Sequence, residues 1–294
     1  MSAARLGQRV GARLFLKCEN FQKTGSFKAR GALNKVSQLG ADARERGVIT
    51  FSAGNHAQSL AWAAHAAGVP ATVVMPAAAS RAKVDASRGY GAEVVLHGAN
   101  GLEALEKARA LQQERGLTFV HPFDDELVAA GQGTAALELL EQTPDLDSVV
   151  VPIGGGGLIA GILVAIKEQK PSIRVYGVEP RGAAAMRQSL DAGRALQLAS
   201  VNTIADGLAA PMAGDLTYEI VRRYVDDVVL VDDDLIAGAV RDLLMSAKVL
   251  AETGGAAATA AVLSRAIPLR DGERVAAIVS GGNIDPARLA GMLG

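Results

Sequence analysis

The stretch SVVVPIGGGGLIAGILVAIK, residues 148–167, decides how the rest of the chain is read. Three valines and a Pro-Ile pair make a short β-rich run. Gly154, Gly155, Gly156 and Gly157 follow without a break, and Leu158 opens an apolar stretch long enough for a buried helix. Residues 149–166 carry no charge, which on hydropathy alone suits a membrane span. Pro152 and the glycine run argue otherwise, because they leave backbone groups unpaired in lipid. A strand, a turn and a helix explain the segment, and no transmembrane span is expected.

The same alternation runs outward in both directions. Strand candidates lie at 48–52, 71–76, 93–97, 118–121, 148–153, 173–178, 228–231 and 275–280, with longer helical stretches between them. Between two of them, Leu102, Leu105, Ala108 and Leu111 form one apolar stripe, with Glu103, Glu106, Lys107 and Arg109 outside it. The strands are near-continuous apolar runs, as in sheets covered by helices on both faces. The expected class is α/β with mainly parallel sheets.

Composition narrows the function. The 294 residues carry a formal net charge of −1 with no block of like charges, so neither a nucleic-acid-binding stripe nor an electrostatic membrane anchor is expected. Cys18 has no second cysteine to pair with, which points to a reducing cytoplasmic setting. The first residues lack the apolar run of a signal peptide.

Four motifs carry candidate chemistry. The glycine run removes every Cβ, so successive N–H groups converge on one anion at a helix N-terminus. It lacks the spacing of a Walker loop or a dinucleotide fingerprint, and by itself it equally reads as a tight turn. In KCENFQKTGSFKARG (17–31), a Thr24-Gly25-Ser26 turn leads into a helix with Phe27 and Lys28 in its first turn. There the positive helix end favours a neutral amine able to form a Schiff base, although most lysines are simply solvated. In SAGNHAQ (52–58), exposed N–H groups can hold a carboxylate and Asn55 can meet a phenolic oxygen; a helix cap is the alternative. SGGN (280–283) follows the last strand, and alone it reads as an exit turn.

Taken in order, SFKARGA, SAGNHAQ, GGGGLIAG and SGGNID resemble the fold type II pyridoxal-phosphate (PLP) enzymes, a tryptophan-synthase-β-like architecture of two parallel-sheet α/β domains. Within them the chain is most similar to the serine/threonine dehydratases, with serine racemase a near relative; AGQGT (130–134) and IADG (204–207) agree. The resemblance implies that Lys28 bonds the PLP aldehyde beside Phe27. It further implies that Gly154, Gly155, Gly156, Gly157 and Leu158 bind the phosphate, that Asn55 meets the ring oxygen and that Ser280 meets the pyridine nitrogen. Ser52, Ala53, Gly54, Asn55 and His56 would receive the substrate carboxylate. It implies a large PLP-binding domain at 1–46 and 125–294, a small inserted domain at 47–124, and a homodimer. The implied reaction is dehydration and deamination of L-threonine, and of L-serine, to 2-oxobutanoate or pyruvate and ammonia.

Two departures refine this. Racemases carry a second serine where this chain has Ala53, so dehydration is favoured over racemisation. A racemase-type metal site is similar to EPRGAAA (179–185), but Ala185 stands at its second carboxylate position, so no metal is expected and Glu179 is read as a surface or ion-paired group. The segment before Leu14 is shorter than in relatives, and only a short helix follows SGGN, so no C-terminal amino-acid-sensing domain is expected. Dehydration of hydroxyaspartate or phenylserine, serine racemisation, and a PLP-binding regulator without catalysis are the competing readings.

Overall fold

The computed structural model describes residues 1–79 and 81–293. The chain divides into two compact units, Met1–Phe27 with Gln132–Gly294, and Lys28–Gly131. In the first, strands β1 (Arg13–Cys18), β6 (Ser148–Pro152), β7 (Arg174–Pro180), β8 (Asp227–Val231) and β9 (Arg274–Val279) form a sheet in the order β1-β9-β6-β7-β8. In the second, β2 (Val48–Phe51), β3 (Ala71–Met75), β4 (Glu93–Leu96) and β5 (Thr118–Phe119) are ordered β4-β3-β2-β5. Every strand pairing is parallel.

Period-2 alternation explains why these runs are apolar throughout. Along β6, Val150 enters one core while Val149 and Val151 enter the core on the opposite face. Along β9, Val275, Ala277 and Val279 face the first core, and Ala276 and Ile278 the second. In the smaller sheet Val73 and Met75 face one cluster and Val74 the other. Each expected strand window holds a strand, and β1 is an addition. The smaller unit is wider than the 47–124 segment, because the helix Lys28–Ser37 packs Ala32 and Val36 on the helix Asn55–Ala66.

Three local expectations are corrected. The helix after the Thr24-Gly25-Ser26 turn starts at Lys28, so Phe27 precedes it. In the helix Gly101–Arg115 the buried stripe is Ala104, Ala108 and Leu111, whereas Leu102 is exposed. The reason is a cap: Asn100 Oδ1 accepts the Leu102 and Glu103 N–H groups, and Glu103 reaches back to the Ala99 N–H, which rotates Leu102 outward. Glu179 is neither exposed nor on the surface. It is fully buried, and its two oxygens accept the N–H groups of Met186 and Arg187 at 2.8 Å each, capping the helix Ala185–Ala192. Burial pushes its carboxyl up to about 7 against the pull of those amides.

Candidate active site

In the larger unit, the glycine run joins β6 to the helix Gly157–Gln169. Gly156 lies at φ +97°, and a Cβ there would sit 2.7 Å from Thr217 Oγ1. The Gly155 carbonyl is turned toward that same neighbour, accepting Thr217 Oγ1–H at 2.7 Å and the Gly214 N–H at 3.3 Å. In a trans peptide the next N–H points the opposite way, so the Gly156 N–H faces away from Thr217. The N–H groups of Gly157, Leu158 and Ile159 open the helix and have no acceptor within it. Residues 155–159 are all buried. Amides at a helix N-terminus favour an anion, and a phosphate monoester fits this turn.

Two motifs that look separate in the sequence meet in this unit. Ser26 bridges to Gly281, the Phe27 N–H donates to the Ser280 carbonyl at 3.0 Å, and the Gly282 N–H donates to the Gly25 carbonyl. Asn283 Nδ2 donates to the Thr24 carbonyl at 2.7 Å. Gly25 is at φ +73°, and a Cβ would fall 2.4 Å from Asn283 Oδ1, so a side chain here would strain the backbone and push Asn283 from its place. Thr24 itself is held at φ 62°, a strained setting for a β-branched residue. Ser280 is buried at the end of β9. The lock thus fixes the residue immediately before Lys28.

In the smaller unit, Lys28 is the first residue of its helix, and its Nζ donates to the Pro122 carbonyl at 2.5 Å. The loop of Ser52, Ala53 and Gly54 leads into the helix at Asn55. Ser52 Oγ accepts the Gly54 N–H at 3.1 Å, which curls the loop where it enters the N-terminal end of this helix. Ala53 packs on the apolar cluster beneath. The His56 side chain turns inward, with Nε2 at 3.1 Å from the Val120 carbonyl, so only its backbone N–H faces the loop. Burial, with the Lys28 charge adding to it, pushes His56 down to about 3.

His121 was not singled out in the sequence, where a lone histidine at a strand end carries no signal. Its Nδ1 accepts the Asp124 N–H at 2.8 Å and the Phe123 N–H at 3.3 Å. Burial pushes it down to about 4; Asp124 opposes this and Lys28 reinforces it. Thr217 gives no local signal either, and the SGGN motif does not reveal what Asn283 does, because each bonds a partner far away in sequence. Among the described residues no cluster of three or more His, Cys, Asp or Glu side chains could hold a metal, and no helix is long and apolar enough to cross a membrane.

A family model described as "Pyridoxal-phosphate dependent enzyme" matches residues 1–281. An L-threonine ammonia-lyase of Thermotoga maritima is 49% identical over 280 residues, covering 95% of this chain and 69% of that protein. Among solved structures, the processed form of threonine deaminase isoform 2 from Solanum lycopersicum superposes with a TM-score of 0.96 at 39% identity, over 100% of this chain and 81% of that one. Maize serine racemase gives 0.95 at 41% identity, over 100% and 90%.

Proposed function

The chain belongs to the pyridoxal-phosphate-dependent enzymes, and from that premise we propose that it is an ammonia-lyase converting L-threonine to 2-oxobutanoate and L-serine to pyruvate. The observation that carries the reading is the glycine turn at 154–158, buried from Gly155 onward at a helix N-terminus, which fits a phosphate monoester. Bound there, PLP supplies an electron sink for the bond broken at the substrate α-carbon.

The chain's own residues do the rest. Gly154, Gly155, Gly156, Gly157 and Leu158 hold the phosphate through their amides and the helix end. Lys28 would hold the cofactor through Nζ, and its free amine would be the base that takes the α-proton. The amides of the Ser52–Ala53–Gly54–Asn55–His56 loop orient the substrate carboxylate, and the Asn55 amide meets the ring oxygen. Ser280, fixed by the lock on Phe27, offers the ring nitrogen a neutral hydroxyl. Ala53 places a methyl group where a proton donor for the second face would be needed. Return of a proton to that face would then be disfavoured, while the β-hydroxyl would leave as water by taking up the proton that Lys28 Nζ removed. We extend the reading to a homodimer in the cytosol, in keeping with the unpaired Cys18.

A coupled assay for 2-oxo acid across β-hydroxy amino acids, with chiral analysis of serine, tests this. L-Threonine and L-serine are expected to yield 2-oxobutanoate and pyruvate with little D-serine. PLP-loaded protein that releases no 2-oxo acid from either substrate would overturn the assignment, as would racemisation matching elimination.

A further inference from the structure

The loop that supplies the acceptor for Lys28 is held in shape by one imidazole. The chain enters it from a pinned strand end. The Val120 carbonyl accepts both Thr50 Oγ1–H at 2.9 Å and His56 Nε2–H at 3.1 Å, and the Val120 N–H donates to Ile49. The next residue, His121, closes a turn by accepting the N–H groups two and three residues ahead. Asn100 Oδ1 does the same toward Leu102 and Glu103, and Asp125 Oδ1 toward Leu127 and Val128. His121 thus occupies the role of an Asx acceptor. An Nδ1 that accepts two N–H groups carries no proton, so the ring is neutral with its hydrogen on Nε2. The Phe123 ring stands edge-on at 4.6 Å and Phe119 lies at 6.1 Å, which keeps the imidazole from rotating. Inside the turn so formed sits Pro122, whose carbonyl receives Lys28 Nζ at 2.5 Å.

We propose that His121 is a positioning residue for Lys28: as a neutral acceptor it fixes the 121–124 turn, and the turn aims the Pro122 carbonyl at the lysine amine. The charged groups that face this imidazole are Lys28, Asp124, Asp125 and Arg109, the last lying over the Phe119 ring at 3.7 Å. An amine freed from the cofactor during turnover has a fixed acceptor to meet, which restrains where its lone pair points. This consequence rests on the assignment of Lys28 as the cofactor lysine; the turn and its hold on the amine do not.

The test uses His121→Asn, which restores an Asx acceptor, His121→Phe, which keeps a ring without one, and His121→Ala. In the PLP-loaded enzyme, His121→Phe and His121→Ala are expected to lower kcat for L-threonine roughly 10- to 100-fold with KM moved less than about threefold, the scale of a misplaced reacting group. The isotope effect on kcat from α-deuterated threonine should rise in both. His121→Asn should recover to within about threefold of the parent. Independently of activity, competitive acetylation of the cofactor-free full chain, read by mass spectrometry, should find Lys28 slow to react in the parent and in His121→Asn. The same amine should react several-fold faster in the other two. Equal Lys28 reactivity in all four proteins, or failure of His121→Asn to differ from His121→Ala, would overturn the proposal. A parent that makes no 2-oxo acid would instead remove the assigned activity, leaving the acetylation pattern to judge His121.

Discussion

Ser280 is the residue whose proposed role toward the ring nitrogen is most open to test. It is buried at the end of β9, and its carbonyl takes the N–H of Phe27, so its position is coupled to the residue before Lys28. Ser280→Ala should lower turnover moderately and loosen the cofactor. Ser280→Asp should do worse, because an opposite charge at hydrogen-bonding distance shifts a titration by about 1–3 pKa units and would draw a proton onto the ring nitrogen. Absorbance spectra and single-turnover rates with L-threonine separate the two, and an unchanged spectrum in Ser280→Asp would show that this side chain does not meet the ring. At this scale the sequence was legible where one contiguous run makes one local structure, as the four glycines do in joining β6 to the helix Gly157–Gln169. It was silent where the partner is remote. Nothing near Asn283 announces that it fills the space above Gly25, and nothing near Glu179 announces that its carboxylate is buried to cap a helix.

Among the elements, the glycine turn at 154–157 depends on a close approach. Gly156→Ala would place a methyl group within 3 Å of Thr217 Oγ1, Thr217 Cβ and Met186 Cε, at a φ of +97° that alanine rarely adopts. Overpacking and backbone strain together cost about 2–5 kcal/mol. The variant should melt earlier and bind PLP more weakly, which calorimetry and a cofactor titration would read. Parent-like behaviour in both would mean that the amides are not arranged as described. Strands β2–β9 were legible because each is a short apolar run between turn residues, although β4 and β5 are only partly buried. Strand β1 was not, since RLFLKC mixes Arg13 and Lys17 with its apolar residues. Lys17 is tolerated there because it is paired with Glu138 at 2.5 Å, a contact across 121 positions that no local pattern signals.

For the whole molecule, buried ionisable groups set the response to acid. His56 and His121 titrate near 6.5 when exposed but are held at about 3 and about 4 in the smaller unit. Both are neutral in the folded and unfolded chain above pH 6.5, so their contribution is intact there. As pH falls below 6.5 the unfolded chain takes up protons that the folded chain refuses, and stability drops by about 1.4 kcal/mol per pH unit for each histidine. For His121 the loss is complete near pH 4. Glu179, raised to about 7 in the larger unit, works in the opposite sense: its contribution is present below 4.5 and is lost as pH rises through 7. His121→Asn should therefore flatten the decline between pH 6.5 and 4 by one histidine's share, measured as urea midpoints across that range. An unchanged slope would mean that His121 is not buried as a neutral base.

The proposed chemistry turns on Lys28 as the residue that would carry the cofactor. Borohydride reduction of the PLP-loaded protein followed by peptide mapping tests it most directly. The phosphopyridoxyl group is expected on the peptide containing Lys28 and to be absent from that peptide in Lys28→Ala. Attachment to another lysine in the parent, or no attachment at all, would contradict the account.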